Sequence, residues 1–358
     1  MESGLFILTC AALALLALAL VLWMVLLGYR LVDNRQRARR VVMADEWLLK
    51  LLPVLEMETS VTSLPKVRGG NEMEAVLSLL RDLMERFRGQ YRDQLREILV
   101  HIGGADFGLR LLRQRHVTSR LRGCALLGWT GESPAVNAAL RLALQDEAKE
   151  VRMEAAYALA LRGPTGLGVR EVLESLEEKD ALASDRLRDV VRMLAPGRSQ
   201  ELARLLPGAA TPRLRVLLLD GLSAAGDLAH SDLIATQLQD AAPAVRAAAV
   251  LALERLGDPM QISRVGLLAQ DPSPKVRLAA AHYLVSMGPD TEALQWLENL
   301  VLDENYEVKR QAVHGLAKVG GRAWQRLRDQ PPEDSLVQAL IREITSPLLP
   351  ISTLEATA

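Results

Sequence analysis

A hydrophobic residue followed by a basic residue recurs along the chain roughly every 31 residues, and each such dyad opens an apolar helical pattern. A glycine stands twelve positions after most of these hydrophobic residues, and a leucine stands eight positions after most of them. Such self-similarity indicates small structural units that stack on copies of themselves, because one unit cannot cover its own apolar face. The dyads are Tyr91-Arg92, Leu121-Arg122, Val151-Arg152, Leu187-Arg188, Leu214-Arg215, Val245-Arg246, Val276-Arg277 and Val308-Lys309.

Each repeat predicts a pair of antiparallel helices. Positions 0, +4 and +8 from the dyad's hydrophobic residue share one helical face, and the glycine at +12 suits a left-handed residue that ends a helix. An Asp five residues before the Val can cap a helix or pair with the basic residue that follows the Val; these are Asp146, Asp240, Asp271 and Asp303. A second amphipathic segment, such as 262–269, then precedes the next dyad. With only 4% aromatic residues, the chain is expected to be all-α.

Four repeat sequences carry a resemblance to a known family: LQDEAKEVRMEAAYALALRG, LQDAAPAVRAAAVLALERLGD, LAQDPSPKVRLAAAHYLVSMG and VLDENYEVKRQAVHGLAKVG. Over residues 74–325 the chain resembles the HEAT-repeat family, in the short bacterial form found in phycobilin-lyase-like proteins. The resemblance implies an α-solenoid of about eight HEAT-type helix pairs whose dyad helices line a concave surface. Such relatives suggest chromophore attachment, but nothing beyond the repeat itself points to it here.

Residues 5–27 form an uncharged apolar run, LFILTCAALALLALALVLWMVLL. As a helix this run measures about 34 Å, enough to cross a hydrocarbon core of about 30 Å. A cleaved signal peptide, a lipoprotein signal and a buried core helix fit less well, because the run is long and lacks a basic start. We therefore expect one retained transmembrane helix. Five arginines follow it and would orient it by the positive-inside rule; they are Arg30, Arg35, Arg37, Arg39 and Arg40.

These patterns divide the chain into four predicted regions. Residues 1–29 form the anchor and 30–73 a basic juxtamembrane helix with a linker. Residues 74–328 form the solenoid, and 329–358 a C-terminal cap helix followed by a disordered tail. The predicted location is the inner, cytoplasmic membrane, with a single span, the N-terminus outside and the solenoid in the cytoplasm.

No catalytic constellation is found in the sequence. The five histidines are scattered, the two cysteines lie far apart, and no nucleophile elbow, P-loop or dinucleotide fingerprint is present. We expect no enzyme activity, cofactor, metal or small-molecule substrate. The mildly acidic body also argues against nucleic-acid binding, which needs a basic stripe.

The dyad helices nevertheless carry candidate binding residues. Positions +2 and +6 point away from the buried stripe, and they hold more apolar side chains than a solvated face should. Either these residues form a groove for a partner helix or peptide, or tight curvature packs them against neighbouring repeats. The candidates are Met153, Tyr157, Met193, Val216, Leu251, Leu278, His282 and His314, the two histidines lying one repeat apart.

The sequence thus favours a membrane-tethered HEAT-repeat scaffold that binds and positions a partner protein, itself membrane-associated, at the cytoplasmic face of the membrane. The alternative is an accessory subunit of a membrane enzyme or transporter complex, such as one of envelope polysaccharide synthesis. That subunit would pack through the small residues of its transmembrane helix.

Overall fold

A computed structural model describes residues 41–346 except 68, 88, 132, 164–165 and 177–183, together with scattered positions before residue 41. All regular secondary structure in this part of the chain is helical, which confirms the expected all-α class. The chain divides into two compact units, Met1–Ala143 (unit 1) and Leu144–Ala358 (unit 2). Neither the predicted boundary at 73 nor the one at 328 coincides with this division, and the predicted C-terminal tail lies outside the described residues.

Unit 1 is built around one apolar core. Trp47 and Leu51 of the first helix are buried there with Val76 and Leu80 of the second helix. The Trp47 indole Nε1 donates to Glu72 Oε1 at 3.0 Å, so its one polar atom is satisfied. The helices are α1 (41–55), α2 (Gly70–Arg86), α3 (Gln90–His101), α4 (Gly104–Leu112), α5 (Val117–Gly128) and α6 (Pro134–Ala143), with a short 3-10 turn at Val61–Ser63.

The regular repeat arrangement is interrupted in unit 1. Its dyad helices α3 and α5 do not pack side by side, whereas α4 and α5 make an extensive contact. Glycines allow that contact: a Cβ at Gly123 would lie 3.0 Å from the Gly108 carbonyl oxygen, and a Cβ at Gly108 would lie 2.8 Å from Leu127. The two helix backbones therefore approach more closely than larger residues would permit.

Unit 2 is a regular stack of helix pairs. Its dyad helices pack side by side in chain order, each against the next, and α19 packs against the last of them. The dyad helices are α7 (Lys149–Leu161), α9 (Asp185–Leu194), α11 (Pro212–Ala225), α13 (Pro243–Leu256), α15 (Pro274–Ser286) and α17 (Tyr306–Val319). The return helices are α8 (Val169–Ser175), α10 (Ser199–Leu205), α12 (Ser231–Thr236), α14 (Ile262–Gly266), α16 (Thr291–Leu300) and α18 (Gly321–Asp329), followed by α19 (Ser335–Thr345).

The predicted helix ends are confirmed. Six glycines were expected to end the dyad helices, and each has a positive φ, a backbone conformation that costs glycine little. They are Gly103, Gly163, Gly226, Gly257, Gly288 and Gly320. The expected cap helix is present as α19, whose first turn donates main-chain hydrogen bonds to the Asp334 carboxylate at 2.9 and 3.1 Å.

The repeated aspartates cap the turns before the dyad helices, as expected. Asp240 Oδ1 accepts a hydrogen bond from the Ala242 main-chain N–H at 2.8 Å, and Asp271 Oδ1 accepts one from Ser273 at the same distance. Asp146 and Asp303 make the equivalent bonds to Ala148 and Asn305.

The ion pairing of these aspartates differs from the sequence expectation. The sequence offered these aspartates two roles, capping a helix or pairing with the basic residue of their own repeat. Asp240, Asp271 and Asp303 pair instead with the basic residue of the preceding repeat. Arg246 donates from Nε and Nη2 to Asp271 at 2.7 and 2.8 Å, while its Nη1 donates to the Asp240 main-chain carbonyl at 2.8 Å. Arg246 therefore bonds the main chain of the aspartate in its own repeat, Asp240. The Arg246 side chain extends to the turn of the next repeat, where it pairs with the Asp271 carboxylate. This series of pairs, here called the ladder, comprises Arg215–Asp240, Arg246–Asp271, Arg277–Asp303 and Lys309–Asp334.

The predicted inner-membrane location is wrong on the structural evidence. No helix among the described residues is both long enough and apolar enough to cross a bilayer. The longest helix bounded within them, α2, has 17 residues and carries charged side chains such as Glu74 and Arg81, whereas a span needs about 20 apolar residues. Most of the apolar run 5–27 lies outside the described residues, as do Arg35, Arg37 and Arg40; Arg30 and Arg39 are exposed.

The ladder makes the stability of the folded protein decrease at acid pH. Burial alone would raise the pKa of Asp271, but hydrogen bonds from Arg246 and from the Ser273 backbone outweigh burial and leave that pKa lowered. A carboxylate with a lowered folded-state pKa stabilises the fold above its unfolded pKa of about 3.9, and this contribution is lost as pH falls through the folded value. We expect a wild-type Tm that changes little from about pH 7 to 5 and drops steeply below about pH 4.

The matched variant is Asp271→Asn, and the Tm of this variant and of wild type is measured at each pH by thermal unfolding. It should be less stable than wild type at neutral pH but lose less stability on acidification, because the titrating carboxylate is gone. Parallel pH curves for the two proteins would contradict the assignment.

Candidate protein-binding face

The dyad helices of unit 2 present one common surface. Positions 0, +4 and +8 of these helices are buried, as at Val245, Ala249 and Leu253 of α13, except that Leu214 at position 0 of α11 is half-buried. The opposite side is left uncovered by the return helices. We call this uncovered side the dyad-helix face, defined by Met153, Tyr157, Met193, Val216, Leu251, Leu278, His282 and His314.

The structure brings all eight predicted residues onto adjacent helices, and none of them is buried. Leu251 of α13 is 41% exposed and His282 of α15 is also exposed, while the other six are half-buried. Because α7, α9, α11, α13, α15 and α17 pack in this order, the residues follow one another across the stack. Partial exposure is compatible with both predicted roles, a partner groove and packing against neighbouring repeats.

At the first helix of this face, internal packing is evident. The Arg186 guanidinium lies over the Tyr157 ring, 3.9 Å from its centroid, and Arg186 also donates to Glu154 at 2.5 Å. Burial raises the pKa of Glu154, and the charge and hydrogen bond of Arg186 offset part of that rise. One ring face of Tyr157 is therefore covered by its own chain.

A charged cluster that the sequence analysis missed lies within the same row of positions. Asp220 of α11 stands at +6, the position of Met193 on α9 and Leu251 on α13. Arg192 of α9 donates to both of its carboxylate oxygens at 2.7 and 2.8 Å, and Arg255 of α13 donates to Oδ1 at 2.6 Å. Two guanidinium groups thus share one carboxylate across three helices. The only sequence signal was that Asp220 is a charged residue between the apolar Met193 and Leu251 at the same position of the neighbouring helices.

The pKa of Asp220 reflects this arrangement. Burial favours a higher pKa, but the hydrogen bonds and charges of Arg192 and Arg255 outweigh it, so the pKa of Asp220 is lowered. The carboxylate therefore stays ionised near neutral pH. Both arginines remain open to solvent, with side chains 40% and 50% exposed.

The two histidines of the face have different surroundings. His282 lies near Glu254 of α13, whose pKa is raised by burial, while the charges of His282 and Arg255 act in the opposite direction. The buried Nε2 of His314 makes no hydrogen bond to a described residue. Among the described residues, no three His, Cys, Asp or Glu side chains are grouped so that they could hold a metal ion.

Unit 1 contains a separate cleft of about 380 Å³. It lies beside α2, α4 and α5, where the regular packing of dyad helices is interrupted, and it has an apolar floor that includes Leu80, Phe107 and Trp129. An exposed ion pair between Arg122 and Glu74, at 3.5 Å, lies at its wall. The sequence repeats gave no sign of this cleft, because it results from a departure from them.

Comparison with known proteins supports the repeat assignment. Residues 264–344 match the family model of HEAT repeats, so the last regular part of unit 2 consists of such repeats. This match confirms the resemblance for that part of the chain. A comparison with curated proteins finds no significant match.

Several solved structures show partial likeness. An engineered protein is 17% identical, with 81% of this chain and 87% of that chain covered and a TM-score of 0.39. The complex of CpcE and CpcF of phycocyanin lyase from Nostoc sp. PCC7120 is 20% identical, with coverage of 67% and 94% and a TM-score of 0.35. Human deoxyhypusine hydroxylase is 15% identical, with coverage of 80% and 98% and a TM-score of 0.31. Because all three TM-scores lie below 0.5, these likenesses carry no conclusion about function.

Proposed function

We propose that this chain, with HEAT repeats at residues 264–344, is a scaffold that binds a partner protein and acts by binding and positioning it rather than by catalysing a reaction. The observation that carries the proposal is the row of apolar side chains on the dyad-helix face. Met193, Val216, Leu251 and Leu278 lie on four consecutive packed helices, and none of them is buried. Isolated exposed apolar residues are common on protein surfaces, but a row on consecutive elements is typical of an interaction surface.

The way the dyad helices stack supports the proposal that the dyad-helix face binds a partner. Each of α9, α11, α13 and α15 already buries one face in the core and its flanks against two neighbouring dyad helices. Its remaining side therefore has no partner within the repeat, and apolar side chains placed there gain burial only from another molecule. Complete burial of a fully exposed apolar side chain contributes about 1.5–3 kcal/mol, and these partly buried side chains contribute a fraction of that each.

The test compares charge substitutions on two sides of unit 2. Leu251→Glu places a carboxylate on the dyad-helix face, whereas Leu267→Glu places one on the return-helix layer, where Leu267 is 66% exposed. We expect proteins recovered with wild type in an affinity purification also to be recovered with Leu267→Glu but to be lost with Leu251→Glu. The reason is that a buried, uncompensated charge opposes association.

A photo-crosslinking residue at position 251 or 267 provides a direct readout for the same comparison. Crosslinks to one defined protein from position 251 and not from 267 would support the proposal. If both variants recover the same proteins as wild type and position 251 gives no specific crosslink, the dyad-helix face is not the binding surface. Equal Tm values for the two variants confirm that both remain folded.

A further inference from the structure

The connection between α4 and α5 in unit 1 concentrates positive charge. Residues 107–131 contain five arginines and no Asp or Glu, although the whole chain has a net charge of −1. Four of these arginines lie in the last turn of α4, in the connection itself or at the start of α5. We call these four residues the basic turn; they are Arg110, Arg113, Arg115 and Arg120.

The main chain of the basic turn is held by hydrogen bonds and by the helices beneath it. Arg120 Nη1 donates to the main-chain carbonyl of Arg115 at 2.7 Å and to that of Gln114 at 3.4 Å. The two helices that the turn connects are in close contact at Gly108 and Gly123. A partner therefore meets a segment that is already ordered, which reduces the entropy lost on binding.

Three of the four arginines have no anionic partner in the part of the chain that the structure describes. Arg113 and Arg115 are exposed, and neither side chain forms an ion pair or a hydrogen bond with another described residue. Arg110 is exposed as well, and its guanidinium lies 5.8 Å from the centroid of the Phe107 ring, with no carboxylate paired to it.

The acidic groups of neighbouring elements do not neutralise this charge. Asp106 lies in the first turn of α4, at the far end of that helix from the basic turn. Glu74 of α2 pairs with Arg122, the fifth arginine of the segment, at 3.5 Å. Helix α6 packs on both α4 and α5 and contains no Asp or Glu. The three unpaired guanidinium groups are therefore available to another molecule.

The chemistry of the basic turn favours carboxylates over nucleic acid. Guanidinium groups bind carboxylates through paired, charge-assisted hydrogen bonds. Proteins that bind single-stranded nucleic acid also offer aromatic side chains on which bases stack, whereas residues 108–122 contain no Phe, Tyr or Trp. Duplex binding needs a longer basic stripe, and the rest of this chain has a negative net charge.

We propose that the basic turn is a docking site for an acidic segment, rich in Asp or Glu, of a partner protein. Arg113 and Arg115 bind its carboxylates, and Arg110 extends the contact along α4. Arg120 keeps the turn in shape through its main-chain hydrogen bonds. This site belongs to unit 1 and does not depend on the dyad-helix face, so it is a second protein-binding surface.

The experiment compares three fluorescein-labelled probes for binding to the full chain by fluorescence anisotropy. The first is an extended peptide with Glu at alternate positions, and the second has Gln at the same places. The third is a single-stranded oligonucleotide with the same number of negative charges as the Glu peptide. We expect the Glu peptide to bind at least about tenfold more tightly than the Gln peptide, with an affinity that falls as salt rises. The oligonucleotide should bind more weakly than the Glu peptide.

Two double variants test whether the basic turn is responsible. Arg113→Gln with Arg115→Gln should weaken binding of the Glu peptide by about tenfold. Arg204→Gln with Arg213→Gln removes two exposed arginines of unit 2, changes the net charge equally and should alter the affinity by less than about twofold. All four positions are exposed, so both variants should fold, and their Tm values check this.

Each other outcome would overturn the inference. Equal binding of the Glu and Gln peptides would show that the turn does not recognise carboxylates. Equal weakening in both double variants would show that only net charge matters. Tighter binding of the oligonucleotide, lost with Arg113→Gln and Arg115→Gln, would assign the turn to nucleic acid instead. The crosslinking experiment at position 251 tests the dyad-helix face separately, so none of these outcomes decides the proposed function.

Discussion

Replacing Arg277 with methionine is expected to lower the free energy of unfolding by about 3–5 kcal/mol, because it leaves a buried carboxylate without its cation. The Arg277 guanidinium donates to Asp303 at 2.7 and 2.9 Å and to the Asp271 main-chain carbonyl at 2.9 Å. The two side chains are only 8% and 5% exposed, so water cannot replace the lost bonds. Urea unfolding followed by circular dichroism measures the change.

Two variants make this prediction specific. Arg264→Met removes an ion pair that is open to water and should cost less than about 1 kcal/mol. Adding Asp303→Asn to Arg277→Met should recover part of the loss, because the amide removes the buried charge but keeps an oxygen for the Asn305 N–H. If Arg277→Met and Arg264→Met lower the free energy of unfolding by the same small amount, the ladder does not stabilise the stack.

Replacing Tyr283 with alanine is expected to cost about 3–5 kcal/mol, the range for removing a buried aromatic side chain. Tyr283 of α15 is fully buried, and its hydroxyl donates to the Asp258 main-chain carbonyl at 2.5 Å. That carbonyl belongs to the preceding repeat, so the side chain joins two repeats through both packing and a hydrogen bond. Burial and the charges of Asp258 and Asp290 raise the pKa of Tyr283, so the hydroxyl remains a donor at neutral pH.

The conservative variant Tyr283→Phe separates the two contributions. It keeps the ring and leaves the Asp258 carbonyl without its donor, at an expected cost of about 1–3 kcal/mol. Tyr306→Ala, at a 46% exposed position on α17, is the matched control and should change stability by no more than about 0.5 kcal/mol. If Tyr283→Phe leaves the free energy of unfolding unchanged, the hydrogen bond of the hydroxyl adds no stability beyond the packing of the ring.

The sequence predicts which residues lie on the dyad-helix face, but it does not predict the charged contacts that these residues make. Helical periodicity alone places Met193, Leu251 and Leu278 opposite the buried stripe, and the structure leaves all three partly exposed. Periodicity cannot show that Arg186 covers Tyr157, or that Arg192 and Arg255 meet at Asp220. Those residues are separated by about one repeat length in the sequence and become neighbours only when repeats stack.

The sequence by itself determined the helix pairs of this protein, their glycine ends and their aspartate caps, because these features depend on residues within one or two helical turns. Gly257 ends a helix and Asp271 caps the next turn whatever lies beside them. Only the tertiary structure decided which repeat each aspartate pairs with, where α4 and α5 replace the regular packing, and which charges interrupt the apolar row. Each of these outcomes depends on the distance between residues of different repeats, which stacking sets and a local pattern does not contain.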